Sequence, residues 1–162
     1  MNHAELCSRA VRWLRRSAGC SVVLTELASN AREIPDAIGW RGGKSILIEA
    51  KVSRSDFLRD AKKLHRTGDG RGMGGWRFYM APIGILTAQE IPHGWGLLEV
   101  GGTQVRRTYG VPKGNCYWHE SPFRPDLSAE RELLCSALRR YQEAGLAVPV
   151  SQAAIRAREA KR

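Results

Sequence analysis

The chain has 162 residues, and its hydrophobic content of 43% is typical of one folded domain and excludes a disordered chain. Its formal net charge of +10 favours a polyanionic partner, because lysine and arginine bind nucleic acid by neutralising phosphates. No apolar run is long enough to span a bilayer, and the N-terminus lacks a signal-peptide core. We therefore expect a cytoplasmic protein with no membrane partner. The four cysteines, Cys7, Cys20, Cys116 and Cys135, show no disulfide framework, so we expect reduced thiols used mainly in packing.

Two elements precede the most informative part of the chain. Residues 3–17 are predicted to be a helix, because Leu6, Ala10 and Leu14 share one apolar stripe. Gly19 is placed to end this helix, since glycine is common just after a helix terminus. Residues 21–27 are rich in valine and leucine and are predicted to be a strand.

Residues 33–51 are predicted to be two strands joined by a tight glycine turn. With the turn centred on Gly42 and Gly43, Asp36 lies directly opposite Glu49. Opposed side chains have Cβ atoms about 4.5–5.5 Å apart, and like charges there are destabilising. A divalent cation bound between the two carboxylates would explain the pair, since Mg²⁺ takes oxygen ligands. Lys51 follows Glu49 by two residues and therefore projects from the same face.

Pro35-Asp36, twelve intervening residues and then Glu49-Ala50-Lys51 resemble the motif of the PD-(D/E)XK nuclease superfamily. The resemblance covers about residues 1–82 and implies an α/β fold with a restriction-endonuclease-like core, a mixed β-sheet flanked by helices. It implies that Asp36 and Glu49 are ligands of Mg²⁺ or Mn²⁺ and that Lys51 is the catalytic lysine. The alternative is an edge hairpin that carries solvated charges.

Two further acids are candidates for an accessory metal ligand. Several branches of the superfamily carry a glutamate on the first helix that completes the metal site, and by resemblance Glu5 is assigned that role. The alternative is that Glu5 is an ordinary surface residue. Glu26, in the predicted first strand, is the second candidate.

The segment after Lys51 is predicted to be a helix. Ser53 and Asp56 resemble a capping box, and a buried stripe is expected from Phe57, Leu58, Ala61 and Leu64. The segment resembles small bacterial and phage members of the superfamily, including the MmcB-like group linked to DNA repair. Asp56, Asp60 and Lys62 match that pattern, whereas Leu64 and His65 stand where relatives often have an aromatic residue.

Basic residues near the motif are the candidates for nucleic-acid binding, and the alternative is that they are solvated charges. These candidates are Arg54, Lys62, Lys63 and Arg71. Residues 67–76 contain five glycines and are predicted to be a mobile loop, which either closes over nucleic acid or only connects two elements.

The second half of the chain is predicted to contain three strands and a helix. The strands are residues 77–81, 95–100 and 103–107, and the helix is residues 128–144. One helical face is expected to be buried: Leu133, Leu134, Ala137, Leu138 and Tyr141. This order of elements favours an α/β sandwich, with one domain in residues 1–150 and a basic tail in residues 151–162.

The leading hypothesis is a Mg²⁺-dependent deoxyribonuclease for bacterial or phage DNA processing or repair. Because no helix-turn-helix or zinc-finger pattern is present, we expect structure-selective or non-specific cleavage. RNA as the substrate and a homodimeric assembly remain open. The alternative is a catalytically silent nuclease-fold module that binds nucleic acid or a protein partner, for example in phage host takeover.

Overall fold

A six-stranded sheet forms the centre of the molecule, and its strands are neighbours in the order in which they occur along the chain. The computed structural model describes residues 1–27, 34–60 and 72–146, together with residues 156 and 160. The strands are β1 (Val22–Leu24), β2 (Ala37–Arg41), β3 (Lys44–Ala50), β4 (Trp76–Pro82), β5 (Trp95–Gly101) and β6 (Gln104–Tyr109).

The sheet is mixed. The pairs β1–β2, β2–β3 and β5–β6 are antiparallel, whereas β3–β4 and β4–β5 are parallel. The α-helices are α1 (His3–Arg16), α2 (Arg54–Asp60) and α3 (Leu127–Glu143), and short 3₁₀ helices occupy Ala88–Glu90 and Asn115–His119. The predicted α/β class, a mixed sheet flanked by helices, is therefore confirmed.

The sheet has an apolar core on each face, because successive residues of a strand point to opposite sides. On one side, Ile48 of β3 belongs to the same core as Leu6 of α1. On the other side, Leu47 belongs to a core that includes Phe57 of α2 and Leu133 of α3. Both faces of β3 are therefore covered, which is the usual setting of strands that take part in parallel pairing.

Helix α3 is anchored by a buried carboxylate. Glu130 is 4% exposed and accepts hydrogen bonds from Trp40 Nε1 at 3.0 Å and from the Gly74 backbone N–H at 2.8 Å. Leu133, one turn further on, is fully buried. These contacts select the helix face that turns inward.

Parts of two predicted apolar faces are wrong. Leu138 and Tyr141 of α3 are 50% and 45% exposed, because the Glu130 contacts turn a different face inward. Leu58 of α2 is 45% exposed, since Phe57 and Asp60, three residues apart, are the buried positions of that helix. In each helix a buried acid sets the orientation, and hydrophobicity alone does not reveal it.

The described end of the predicted glycine loop is packed rather than mobile. Residues 72–75 are buried, and the buried Arg77 side chain donates to Gly72 O at 2.9 Å and Gly74 O at 3.0 Å. Gly74 has φ of 84°, and a Cβ there would lie 2.6 Å from Leu47 Cβ. Only glycine fits this position, so the segment is a fixed connection into β4.

The boundaries of α1, β4, β5, β6 and α3 agree with the predictions to within two residues. Strand β2 begins at Ala37 rather than in the predicted run from residue 33, so Asp36 precedes the strand. Strand β1 is shorter than the predicted 21–27, because Glu26 adopts a φ of 43° and its N–H donates to Pro35 O at 3.2 Å. The predicted continuation of α2 through Ala61 and Leu64 lies outside the described residues. Among the residues described, no helix combines the length and the apolar character that crossing a bilayer requires.

Candidate functional site

The hairpin of β2 and β3 has the register that the sequence predicts. Ala37 pairs with Ile48, and the pairing stays in step to the turn, where both glycines have positive φ as a type I′ turn requires. Asp36 lies one residue before the first pair, so the predicted pairing of Asp36 with Glu49 is not part of the observed ladder. Asp36 Oδ2 accepts a hydrogen bond of 2.8 Å from the Ala50 backbone N–H, which holds its carboxyl group at the end of β3.

Lys51 lies in a buried group of charges, which we call the Lys51 cluster: Glu49, Lys51, Asp60 and Tyr79. Lys51 Nζ is 3.3 Å from Glu49 Oε2 and 3.5 Å from Asp60 Oδ1. Tyr79 donates its hydroxyl hydrogen to Asp60 Oδ2 at 3.3 Å. The three charged residues are only 3–5% exposed. One ammonium group therefore neutralises part of the charge of two buried carboxylates, an arrangement that depends on all of its members.

The elements around the sheet explain how the Lys51 cluster forms. Glu49 and Lys51 alternate along the end of β3, and Glu49 is the register partner of Tyr79 in the parallel strand β4. Asp60 comes from α2, where Phe57 packs edge-on against the Tyr79 ring with centroids 4.9 Å apart. The aromatic contact thus brings the acid of α2 to the lysine of β3.

A second group, which we call the His3 cluster, consists of His3, Cys7, Glu26 and Asp36. One ligand-type atom from each lies within 4.8 Å of those of the others. His3 Nε2 is 3.4 Å from Cys7 Sγ, 3.2 Å from Glu26 Oε1 and 3.4 Å from Asp36 Oδ1. The residues come from the first turns of α1, the segment after β1 and the segment before β2, so only the folded chain brings them together.

Asp36 connects the two clusters. Burial raises the pKa of its carboxyl group, and the negative charge of Glu26 adds to that rise. The hydrogen bond from Ala50 and the positive charges of Lys51 and His3 act in the opposite direction. Asp36 is thus within the electrostatic reach of both the lysine and the histidine.

Cys7 feels the same negative charges. Burial is the largest cause that raises the pKa of its thiol, to about 12, and the charges of Asp36, Glu26 and Glu49 raise it further. Carboxylates of both clusters therefore act on one sulfur atom. Without a bound cation, Cys7 remains a protonated thiol.

The two candidate accessory acids have different positions. Glu5 forms a capping box with Asn2: the Asn2 backbone N–H donates to Glu5 Oε2 at 2.9 Å, and the Glu5 N–H donates to Asn2 Oδ1 at 2.9 Å. Glu5 is not among the four residues of the His3 cluster, whereas Glu26 is. The assignment of Glu5 as a metal ligand is therefore not supported by its contacts, because its carboxylate caps α1.

The predicted nucleic-acid-binding residues are only partly visible. Arg54 is exposed, and its Nε lies 2.6 Å from Glu90 Oε1. Hydrogen bonding from Arg54 is the main cause that lowers the pKa of Glu90. Lys62, Lys63 and Arg71 lie outside the described residues, and so does most of the predicted basic tail.

Sequence reasoning missed His3, Cys7 and Tyr79. His3 and Cys7 stand at an i, i+4 spacing that places two side chains on one helix face, and this signal was available. Cys7 is a buried member of the core around α1, as expected of a packing residue, and its sulfur also lies 3.4 Å from His3 Nε2. Tyr79 is identified only by the parallel pairing of β3 with β4.

A basic pocket lies toward the other end of the β2–β3 hairpin. Its lining includes Arg41, Lys44, Trp118 and His119, and its volume is about 280 Å³. Arg41 donates to Ala18 O at 2.6 Å, and its guanidinium carbon lies 5.7 Å from the centre of the Trp118 ring. Cationic and aromatic groups therefore face one open concave surface.

Comparison with known proteins defines the class of fold. No family model and no curated protein matches the chain. The solved structure of the SPO1766 protein of unknown function from Silicibacter pomeroyi is similar, with a TM-score of 0.59. The two chains are 23% identical over 88% of this chain and 90% of the other. The chain therefore has an α/β mixed-sheet fold that also occurs in that bacterial protein.

Proposed function

We propose that the protein is a metal-dependent phosphodiester hydrolase that acts on DNA. The observation that supports the proposal is the hairpin register, in which Ala37 pairs with Ile48 and Asp36 lies one residue before that pair, with its carboxylate bound to the Ala50 N–H. Lys51 follows on the same strand face, with its ammonium 3.3 Å from Glu49. Order, spacing and strand context match the PD-(D/E)XK pattern, and the mixed α/β sheet is compatible with a restriction-endonuclease-like core.

The chemistry of the donors fits a hard divalent cation. Asp36, Glu49 and Glu26 are carboxylates, and Mg²⁺ and Mn²⁺ favour oxygen ligands. We assign Asp36 and Glu49 as the ligands and Glu26 as the accessory acid. When bound, such a cation supplies Lewis-acid chemistry toward a phosphate group.

The protein's own groups have separate roles. Lys51 stabilises negative charge that develops on the phosphate and orients the attacking water. Asp60 is a positioning residue, because its carboxylate lies 3.5 Å from Lys51 Nζ and accepts a hydrogen bond from Tyr79. The buried setting strengthens these interactions, since the local dielectric is low.

The charge distribution supports a nucleic-acid substrate. The net charge of +10 favours phosphate binding without base readout. The pocket lined by Arg41 and Lys44 adds a cationic surface on the same hairpin that carries Asp36 and Glu49. A substrate that follows the hairpin would contact both regions.

The test uses labelled single-stranded, duplex and branched DNA, and RNA of the same sequence, with Mn²⁺ or with EDTA. Asp36→Asn and Glu49→Gln are the informative variants, because each keeps the side-chain shape and removes one negative charge. We expect each to reduce cleavage by more than about 100-fold, since even outer partners of metal ligands are worth about 10–100-fold. Glu143→Gln, at an exposed position of α3, is the matched control for charge and should cleave as the wild type does.

Cleavage that continues in EDTA, or that survives both substitutions, would remove the proposal. RNA cleaved in preference to DNA would retain the hydrolase and change its substrate. Circular dichroism of each variant shows whether a lost activity reflects a lost fold.

One observation favours the second candidate, a catalytically silent nuclease-fold module. Lys51 and Glu49 are 5% and 3% exposed and are paired with each other, as in a structural ion pair. Such a module would bind DNA without cleaving it. Calorimetry with Mn²⁺ distinguishes the two, because a silent module shows no binding that depends on Glu49.

A further inference from the structure

The His3 cluster combines donor types that a magnesium site does not need. It offers an imidazole nitrogen, a cysteine sulfur and two carboxylate oxygens. Nitrogen and sulfur ligands favour zinc and its neighbours in the first transition series over Mg²⁺. We infer that His3, Cys7, Glu26 and Asp36 form a four-ligand site for a transition-metal dication such as Zn²⁺ or Co²⁺.

The distances have the scale of a tetrahedral site. In such sites, metal–ligand bonds of about 2.0–2.3 Å place neighbouring ligand atoms roughly 3.3–3.8 Å apart. His3 Nε2 is 3.2 Å from Glu26 Oε1 and 3.4 Å from both Asp36 Oδ1 and Cys7 Sγ. Binding would therefore require only small movements of side chains that already converge.

Hydrogen bonding alone accounts poorly for this convergence. A ring nitrogen of histidine carries at most one hydrogen, so His3 Nε2 cannot donate to three partners at once. It nevertheless lies within 3.4 Å of two carboxylate oxygens and one sulfur. A cation at the centre would satisfy all four groups and would offset the repulsion between Glu26 and Asp36.

The local fold keeps the ligands in place and leaves one side open. His3 and Cys7 project from one face of α1 at an i, i+4 spacing, and the capping box of Asn2 and Glu5 fixes the first turn of that helix. Cys7 is buried, whereas the His3 and Glu26 side chains are 43% and 59% exposed. A metal ion can therefore approach from solvent and meet the thiol at the inner side.

This inference goes beyond the proposed hydrolase and does not depend on it. Asp36 and Glu26 belong to both sites, but Cys7 and His3 belong only to the new one, and Glu49 only to the proposed catalytic one. Cys7→Ser and Glu49→Gln therefore separate the two proposals. A metal bound here would join the first turns of α1 to the chain before β2.

The test is titration of tag-free, metal-free, reduced protein with Co²⁺, followed by absorption spectroscopy. We expect one equivalent to produce a thiolate-to-cobalt charge-transfer band and the intense visible bands of four-coordinate cobalt. Zn²⁺ should displace the cobalt and raise the melting temperature, because it binds only the folded chain. Cys7→Ser should lose the charge-transfer band, whereas Cys20→Ser, at another buried cysteine, should retain it.

Two further variants keep the test decisive if Cys7→Ser folds poorly. His3→Ala changes a half-exposed side chain, and we expect it to weaken Co²⁺ binding at least 10-fold. Glu26→Gln should weaken binding similarly, whereas Glu143→Gln, at an exposed position of α3, should not. A wild-type protein without the charge-transfer band, a band that persists in Cys7→Ser, or unchanged affinity in His3→Ala would each overturn the inference.

Discussion

Replacing Lys51 with methionine tests the energetics of the Lys51 cluster. The substitution keeps a long side chain and removes the ammonium that lies between the buried carboxylates of Glu49 and Asp60. Breaking a buried ion pair on one side costs about 3–5 kcal/mol, because the remaining charge is left uncompensated. We therefore expect Lys51→Met to lose about 3–5 kcal/mol of unfolding free energy at neutral pH.

The loss would be large in proportion, because domains are stable by only about 5–15 kcal/mol. For a chain of this size, it corresponds to a decrease in melting temperature of roughly 6–20 °C. Guanidinium unfolding followed by tryptophan fluorescence measures the free energy, and an unchanged slope shows that the two-state treatment holds. Lys113→Met, at an exposed position, is the matched control and should change stability by less than about 0.5 kcal/mol.

A charge-neutral background makes the reasoning refutable. The triple variant Glu49→Gln, Lys51→Met and Asp60→Asn removes every charge of the cluster while it nearly conserves volume. The triple variant leaves no uncompensated charge within the cluster, so it should recover part of the loss. A Lys51→Met protein within about 1 kcal/mol of the wild type, or a triple variant no more stable than the single one, would refute the account.

Three further predictions concern other parts of the core. Burial raises the pKa of the Cys20 thiol from 9.0 to about 11. Between these pH values the folded chain keeps a proton that the unfolded chain loses, so the free energy of unfolding falls as pH rises. Over that range the wild type should lose about 3 kcal/mol more than Cys20→Ala, and equal losses would contradict the shift. Glu130→Ala leaves the half-buried Trp40 indole and the buried Gly74 N–H without their acceptor, and it should cost roughly 2–5 kcal/mol in guanidinium unfolding. A cost below about 1 kcal/mol would contradict the role of Glu130 as an anchor. Gly39→Ala would place a methyl group 2.8 Å from Cys20 Sγ and should lower the free energy of unfolding by about 1–3 kcal/mol. Part of this stability should return when Cys20 is also replaced by alanine, and no recovery would show that the clash lies elsewhere.

The hairpin could be predicted in detail because its determinants are local. Two adjacent glycines with positive φ specify the turn, and the turn fixes the register from Arg41 with Lys44 back to Ala37 with Ile48. The same arithmetic places Asp36 opposite Glu49, which stays a prediction because the observed pairing begins at Ala37 and Ile48. Glu49 and Lys51, the candidate site residues at the end of β3, could therefore be identified from the sequence alone.

The rest of the site depends on contacts between distant segments. Tyr79 lies next to Glu49 only because β3 and β4 pair in parallel, and the sequence of neither strand predicts that register. Glu26 reaches the His3 cluster because the chain turns sharply after β1. The inward faces of α2 and α3 were partly mispredicted for a related reason, since a buried acid on each, Asp60 and Glu130, outweighs the apolar pattern.

The sequential order of the strands has a consequence for how the protein is made. Each strand pairs with its predecessor, so the sheet can grow as the polypeptide leaves the ribosome, without waiting for distant sequence. Some hydrogen bonds do wait for distant sequence, and the bond from Trp40 to Glu130 joins residues 90 apart. At translation rates of about 5–20 residues per second, roughly 5–18 s pass between the synthesis of Trp40 and that of Glu130. The nascent chain therefore carries an incomplete face until α3 emerges, and that interval is when a chaperone would meet it.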